Sequence, residues 1–209
     1  MKTLLDIERW PRKEHFHFFR KFEEPFFGAT VEIDCTKAYE NSKAIGSSFF
    51  IYYLHKTLVA VNTNESFRYR IADDQVYIYD QIDGSATIGR EDSTFGFSLI
   101  KYDPDFAVFT ATALVEIERV QNTPGLFTSA FDTDNVIHFS AIPWLNFTSL
   151  SHARSYTFQD SCPKISFGKM ITGEGGKRTM SMSIHVHHGL MDGLHLGQFV
   201  DLFQELMNQ

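Results

Sequence analysis

Two adjacent imidazoles and a carboxylate four residues beyond the second, in His187-His188-Gly189-Leu190-Met191-Asp192-Gly193, are the residues of this chain whose types and spacing could do chemistry. A neutral imidazole is the usual general base near pH 7, and a positioned base is worth roughly 10²–10⁴ in rate. Asp192 precedes a glycine that can take φ > 0, so the chain is expected to turn back and bring the carboxylate into the histidine's neighbourhood. Upstream, Thr179 to His188 alternates. Period two places Ile184, Val186 and His188 on one face of a strand, His185 and His187 on the other. On the apolar face His188 is expected to lose solvation, which favours its neutral form. The residues by themselves leave two readings open, a fixed base and a core histidine satisfied by its neighbours.

Other chemistries compete for the same residues. His185, His187, His188 and Asp192 could offer a half-site for zinc, since H-x-H on one strand face presents two neutral donors. No second motif supplies the remaining ligands, so no resident metal is expected. Gly173-Glu174-Gly175-Gly176-Lys177 has the composition of a phosphate loop but not its spacing, and reads as a hairpin turn between two strands. Cys35 and Cys162 lie far apart without metal-ligand spacing, and read as two unpaired thiols.

The elements that must position these groups can be read from periodicity. Ser48 to Asn62 is predicted helical behind a serine cap, with Phe50, Tyr53, Leu54, Leu58 and Val61 at helical spacing. Asp103-Pro104 is expected to open a second helix, with Phe106, Phe109, Ala113, Ile117 and Val120 on one face. Leu194 to Met207 is a third. Strands are expected at 29–35, 76–79, 95–100, 136–142, 164–170 and 179–188. No regular βαβ alternation and no linker or repeat appears, which suggests one domain over residues 1–209, a mixed sheet packed against helices. The 209 residues are 43% hydrophobic and include 21 phenylalanines, enough to fill a sizeable core. A net charge of −7 without any basic run argues against nucleic acid or an anionic membrane as partner. Neither a signal-peptide core nor an apolar run of ~20 residues is found, so a cytoplasmic location is expected.

The HHxxxDG segment resembles that of the chloramphenicol acetyltransferase family, and more distantly the HRxxDG of the dihydrolipoyl acyltransferases. Further landmarks stand in the family's order. Trp10-Pro11-Arg12-Lys13-Glu14-His15-Phe16 is similar to its N-terminal motif. Phe67-Arg68 with Val76 to Asp80 resembles its FR…ELxIxD stretch, and Ser140-Ala141-Ile142-Pro143-Trp144, Phe147-Thr148-Ser149 and Gly168-Lys169 follow. The resemblance implies an α/β two-layer sandwich and an acetyl-CoA-dependent O-acetyltransferase acting by direct transfer. It also implies no permanently bound cofactor, acetyl-CoA serving as co-substrate. In that reading His188 is the general base, Ser140 the oxyanion donor, and Arg12 pairs with Asp192 to hold the histidine's loop. Arginine suits this role because its fork can grip a carboxylate bidentately.

The resemblance also implies contacts for coenzyme A at Lys169, Ser166 and Trp144, with Ser166 standing where a threonine commonly positions a water. Met170 departs from a common tyrosine. For the acceptor it implies Phe19, Phe27, His138, Leu150, His152 and Lys164, in a homotrimer whose sites lie between subunits. Here the chain departs furthest from its relatives. Leu150-Ser151-His152-Ala153 and Asp160-Ser161-Cys162-Pro163-Lys164 replace mainly apolar and aromatic stretches, and Pro25 replaces a common cysteine. Chloramphenicol or a related compound is therefore one expected acceptor, and a more polar hydroxyl compound the alternative. A non-catalytic coenzyme A-binding relative is a further reading, and a zinc protein a remote one.

Overall fold

The strand that precedes the two histidines is the spine of the molecule. A computed structural model describes residues 1–128, 133–155 and 160–209. In chain order its elements are β1 (Lys2–Leu4), α1 (Lys13–Phe19), β2 (Phe26–Asp34), α2 (Thr36–Ala44), α3 (Phe49–Thr63), β3 (Tyr69–Ala72), β4 (Gln75–Tyr79) and β5 (Asp83–Gly89). Then come β6 (Phe95–Phe97), α4 (Phe106–Gln121), β7 (Val136–Ala141), β8 (Lys164–Phe167), β9 (Ile171–Thr172), β10 (Arg178–His187) and α5 (Gly193–Met207). The main sheet runs β2-β10-β8-β7-β5-β6, with β9 paired to the start of β10, and a small sheet runs β1-β4-β3. β10 is antiparallel to β2 and β8, whereas β8, β7 and β5 are parallel neighbours. This is the mixed sheet expected from the sequence.

Helices cover one face. Met180, Met182, Ile184 and Val186 of β10 are each at most 2% exposed, as period-two alternation requires of a strand with one face in the core. They meet a layer in which Leu54, Leu58 and Val61 of α3 and Phe199 and Phe203 of α5 are wholly enclosed. Burying each such side chain contributes about 1.5–3 kcal/mol. The abundance of phenylalanine is used here: Phe67 stacks on Phe199 at 4.2 Å between centroids, and Phe139, Phe167 and Phe203 follow one another at 5.3 and 5.6 Å. Among the described residues no single helix is long and apolar enough to cross a membrane.

Several expected boundaries move. α4 starts at Phe106 behind Asp105, whose carboxylate accepts from the amides of Ala107 and Val108. Asp103-Pro104 lies before it. Ser48 is the cap of α3 by position, yet its hydroxyl makes no capping bond. The expected strand 95–100 shortens to β6, with Ile100 bridging Gly84 separately, and the strand 164–170 ends at Phe167. The hairpin at Gly173–Lys177 forms, with Gly175 and Gly176 at φ 68° and 81°, a conformation that favours glycine.

The other face of the sheet is polar. Across the paired strands Thr30, Ser183, Ser166 and Ser140 fall in one register row, and Gly28, His185, Lys164 and His138 in the next. Such a face needs partners of its own for its hydroxyls, imidazoles and ammonium.

Candidate active site

The HHxxxDG segment is a turn between the end of β10 and the start of α5. β10 ends at His187, so His188 is the first residue beyond the strand. Its amide donates to the Pro25 carbonyl at 2.8 Å, which ties the turn to the start of β2. The half-buried imidazole stacks on Phe19 at 3.9 Å between centroids and 11° between planes, with Phe27 at 4.4 Å on a tilted approach. Two residues expected at the acceptor side thus clasp the ring. Nδ1 of His188 lies 3.3 Å from the Met191 carbonyl. A carbonyl can only accept, so this contact assigns the Nδ1 proton and leaves the lone pair on Nε2.

His187 is the more deeply buried of the two histidines. His187 is 4% exposed, and burial pushes its pKa down to about 4, with Arg154 adding to the effect. Its Nδ1 accepts the Gly189 amide at 3.1 Å, which makes His187 a structural member of the turn. Gly189 itself is held close: a Cβ there would stand 3.0 Å from the His187 ring.

Asp192 does not reach the histidine through a glycine turn. Gly193 has no positive φ; it is the first residue of α5, and Asp192 is that helix's N-cap. One carboxylate oxygen accepts from the Leu194 amide at 3.1 Å and from Nδ1 of His195 at 2.8 Å. The other accepts from Nη1 of Arg12, while Nη2 of Arg12 donates to the His188 carbonyl at 3.1 Å. The expected bidentate grip on the carboxylate is therefore a divided one: Arg12 spans the carboxylate and the backbone of the histidine. Burial opposes the charge on Asp192, but the hydrogen bonds from His195 and Arg12 outweigh it and hold this carboxyl far below the usual range. His195 was not foreseen. It stands at the third helical position, where glutamate or glutamine would usually accept the N-cap amide; with Nδ1 donating to the carboxylate, the ring binds the cap's side chain instead.

Ser140 lies elsewhere in the chain. It stands in register with Ser166, and Ser166 with Ser183, which is five residues before His188 on β10. At ~3.3 Å per residue and ~4.8 Å per strand, Ser140 and His188 of one copy are roughly 15–20 Å apart. The structure brings Arg12, Asp192, Phe19 and Phe27 to His188. It brings His138, His152 and Lys164 to a cleft that Ser140 also lines, together with Arg154 and Asp160. Leu150 is half-buried beside this group, near His185.

The residues expected to meet coenzyme A divide too. Trp144 is 78% exposed, and Lys169 is also exposed, its amide donating to the Leu145 carbonyl next to that tryptophan at 2.7 Å. Ser166 is wholly enclosed, with its hydroxyl unpartnered among the described residues. Its side chain therefore lies beneath the surface that Trp144 and Lys169 present. In the cleft, Lys164 and Asp160 pair with each other. A side chain that would cost several kcal/mol as a lone buried charge is thereby compensated.

In the histidine pair weighed above as a possible zinc half-site, His187 Nδ1 is engaged by the Gly189 amide and Asp192 by Arg12. A different group, His138, Asp160 and Cys162, places its potential ligand atoms within 4.8 Å of one another. Both cysteines are buried, and burial pushes the Cys35 thiol up to about 12.

A family model described as "Chloramphenicol acetyltransferase" matches residues 1–204. Chloramphenicol acetyltransferase 3 of Escherichia coli is 30% identical over 207 residues, covering 99% of this chain and 97% of the relative. The Proteus mirabilis chloramphenicol acetyltransferase is 28% identical over 207 residues, 99% and 94% of the two chains. A solved chloramphenicol acetyltransferase superposes with a TM-score of 0.91 at 34% identity, covering 99% of this chain and 100% of its own. A probable dihydrolipoamide acetyltransferase from Listeria monocytogenes 4b F2365 shares the fold, at TM-score 0.67 and 13% identity over 93% of this chain and 88% of its own. With the family model spanning nearly every residue and a relative at this identity matched from end to end, the chain belongs to the chloramphenicol acetyltransferase family of acyltransferases.

Proposed function

We propose that the protein is an O-acetyltransferase that moves an acetyl group from acetyl-CoA directly to a hydroxyl, with His188 as general base. The observation that carries this reading is the His188 ring held between Phe19 and Phe27 with Nδ1 on the Met191 carbonyl. That contact fixes the tautomer that leaves Nε2 as the base. Nε2 takes the proton of the acceptor hydroxyl as its oxygen attacks the thioester carbonyl. The negative charge that develops on the carbonyl oxygen is met by the Ser140 hydroxyl, a donor of the kind whose loss commonly costs on the order of 10²–10³ in rate. Collapse of the tetrahedral intermediate breaks the carbon–sulfur bond, and the imidazolium returns the proton to the departing thiolate. Arg12 and Asp192 hold the turn that carries the base.

The separation of Ser140 from His188 within one chain supports a site completed by a second copy, with His188 from one and Ser140 and the cleft from the next. The family resemblance supports a homotrimer. Lys169 and Trp144, exposed beside one another, are the side chains offered to coenzyme A, and chloramphenicol or a related hydroxyl compound is the acceptor that the relatives' names suggest. The test is thiol release from acetyl-CoA with an acceptor present, in the parent and in His188→Gln. Loss of at least ~10²-fold in kcat with an unchanged fold is expected, and full activity in the variant would remove His188 as base.

A further inference from the structure

The cleft beside Ser140 is polar in a way that specifies a ligand. Lys164, 7% exposed, sits on its floor with the ammonium bonded to Asp160 and the Cys162 carbonyl. His138 stands next to it on the adjoining strand. Arg154, 9% exposed at its side chain, pairs with Glu24 and lies over the Phe26 ring at 3.6 Å. The charges therefore come as compensated pairs, which leaves no unbalanced charge for an ionic acceptor to neutralise. Hydrogen-bonding groups nonetheless border the cleft, since the Asp160 carboxylate, the Lys164 ammonium and the His138 and His152 rings all belong to its lining. Each such group must be paired when a bound ligand displaces water, or binding carries the desolvation penalty.

We propose that the acceptor is an uncharged polyhydroxylated compound, a sugar or polyol, held in this cleft by the Asp160–Lys164 pair and the His138 and His152 rings. A hydroxyl both donates and accepts, which matches a carboxylate that accepts, an ammonium that donates and imidazoles that do either. A nitroaromatic amide offers few such groups, and the Phe26 face nearby is already covered by Arg154, with the Lys164 ammonium 4.8 Å from the same ring. The His138, Asp160 and Cys162 group would suit a metal ion, but its carboxylate already holds a cation in the Lys164 ammonium. The proposal rests on the reading of Ser140 and His188 as the acetyl-transfer site.

The experiment measures thiol release from acetyl-CoA by the full-length protein with methyl hexosides, sorbitol, a hydroxylated carboxylate, a hydroxylated amine and chloramphenicol as acceptors. Binding of coenzyme A is followed by calorimetry. An uncharged polyhydroxyl acceptor should exceed chloramphenicol at least tenfold in kcat/KM. The double variant Asp160→Leu/Lys164→Ile removes both charges together and so strands neither. It should lower kcat/KM for the polyhydroxyl acceptor at least tenfold while raising it for chloramphenicol, a crossing that misfolding cannot produce. A higher kcat/KM for chloramphenicol or for either charged acceptor overturns the acceptor proposal while leaving the transfer chemistry standing. Turnover of no acceptor by protein that binds coenzyme A, with His188→Gln indistinguishable from the parent, overturns both. Zinc retained by the purified protein and lost in Cys162→Ser would make the group a metal site and overturn the proposal.

Discussion

Breaking the Arg12–Asp192 contact should cost more than an ordinary ion pair, because each partner has a second duty. Arg12 is 11% exposed at its side chain and also donates to the His188 carbonyl; Asp192, 33% exposed, also caps α5. Hydrogen bonds to charged groups contribute about 1.5–3 kcal/mol and an N-cap about 1 kcal/mol. Asp192→Ala is therefore expected to destabilise by about 3 kcal/mol and Arg12→Ala by about 2–3 kcal/mol. Asp192→Asn, which keeps a capping oxygen, should cost about 1.5–2 kcal/mol. The double alanine variant should cost about 4 kcal/mol, a coupling of about 1–2 kcal/mol once solvent screening at Asp192 is allowed for. Because the Asp192 carboxyl is held below its unfolded value, the pair's contribution is fully present above about pH 4 and fades as pH falls through the folded value. The coupling should thus be flat from pH 8 to 5. Urea unfolding at one fixed protein concentration gives the energies, and thiol release gives kcat, which should fall at least tenfold in each single variant. Additivity within about 0.5 kcal/mol, or full activity in Arg12→Ala, would refute the clasp.

His187→Ala should lose stability with a much smaller fall in kcat than His188→Ala, since the first ring holds the Gly189 amide and the second is the proposed base; equal kcat losses at the two positions would overturn that proposal. Burial lowers the folded pKa of His187 to about 4, so its share of stability is complete above about pH 6.5 and is lost as pH falls toward 4. The melting temperature of the parent should drop over that window more steeply than that of His187→Asn, by up to about 1.4 kcal/mol per pH unit in stability; parallel curves would show that the ring is not buried neutral. Ser140→Ala should reduce kcat with little change in KM for either substrate, and a pure KM effect would move Ser140 from the transition state to binding. Native mass measurement should give a trimer, and co-refolding His188→Ala with Ser140→Ala protein should restore activity from mixed sites; an active monomer would end the shared-site model. The buried thiols should leave the usual disulfide-exchange readout of thiol release undisturbed.

The parts of this molecule that follow from a single period were legible. α3 and α5 show helical spacing and β10 strict alternation, so their existence and inward faces could be read directly. β5 could not be read in this way. Asp83-Gly84-Ser85-Ala86-Thr87-Ile88-Gly89 has few β-favouring residues, and it becomes a strand because β7 and β6 flank it and α3 packs over Gly84. α2 carries too weak an apolar stripe to announce itself, and the three-residue β1 exists only against β4. At the candidate site, motif order pointed to the Arg12–Asp192 contact at the His188 turn, which the structure contains. The divided grip of Arg12 and the part played by His195 were out of reach, since both depend on how two distant segments meet in space. Alternation does not give the deeper burial of His187 because it stops being informative where the strand ends, at His187, one residue before His188.

The residues clasped at His188 are separated by 180 positions, and β10, the spine of the sheet, follows the other strands of both sheets in the chain. Until Arg178 and its successors leave the ribosome, β2 and β8 have no partner on the edges that β10 will occupy, and the apolar layer of α3 has no α5 to close it. Nascent chains of this protein therefore carry β2 without its partner through most of their synthesis, and β8 without its partner for the short interval before β10, the condition under which strands find each other between molecules. The long-range pairing also predicts slow completion relative to helical proteins of this size. A chain ended by a premature stop before Arg178 should accordingly be recovered as aggregate rather than as an inactive soluble fragment, and chaperone demand should fall on the interval before β10 appears.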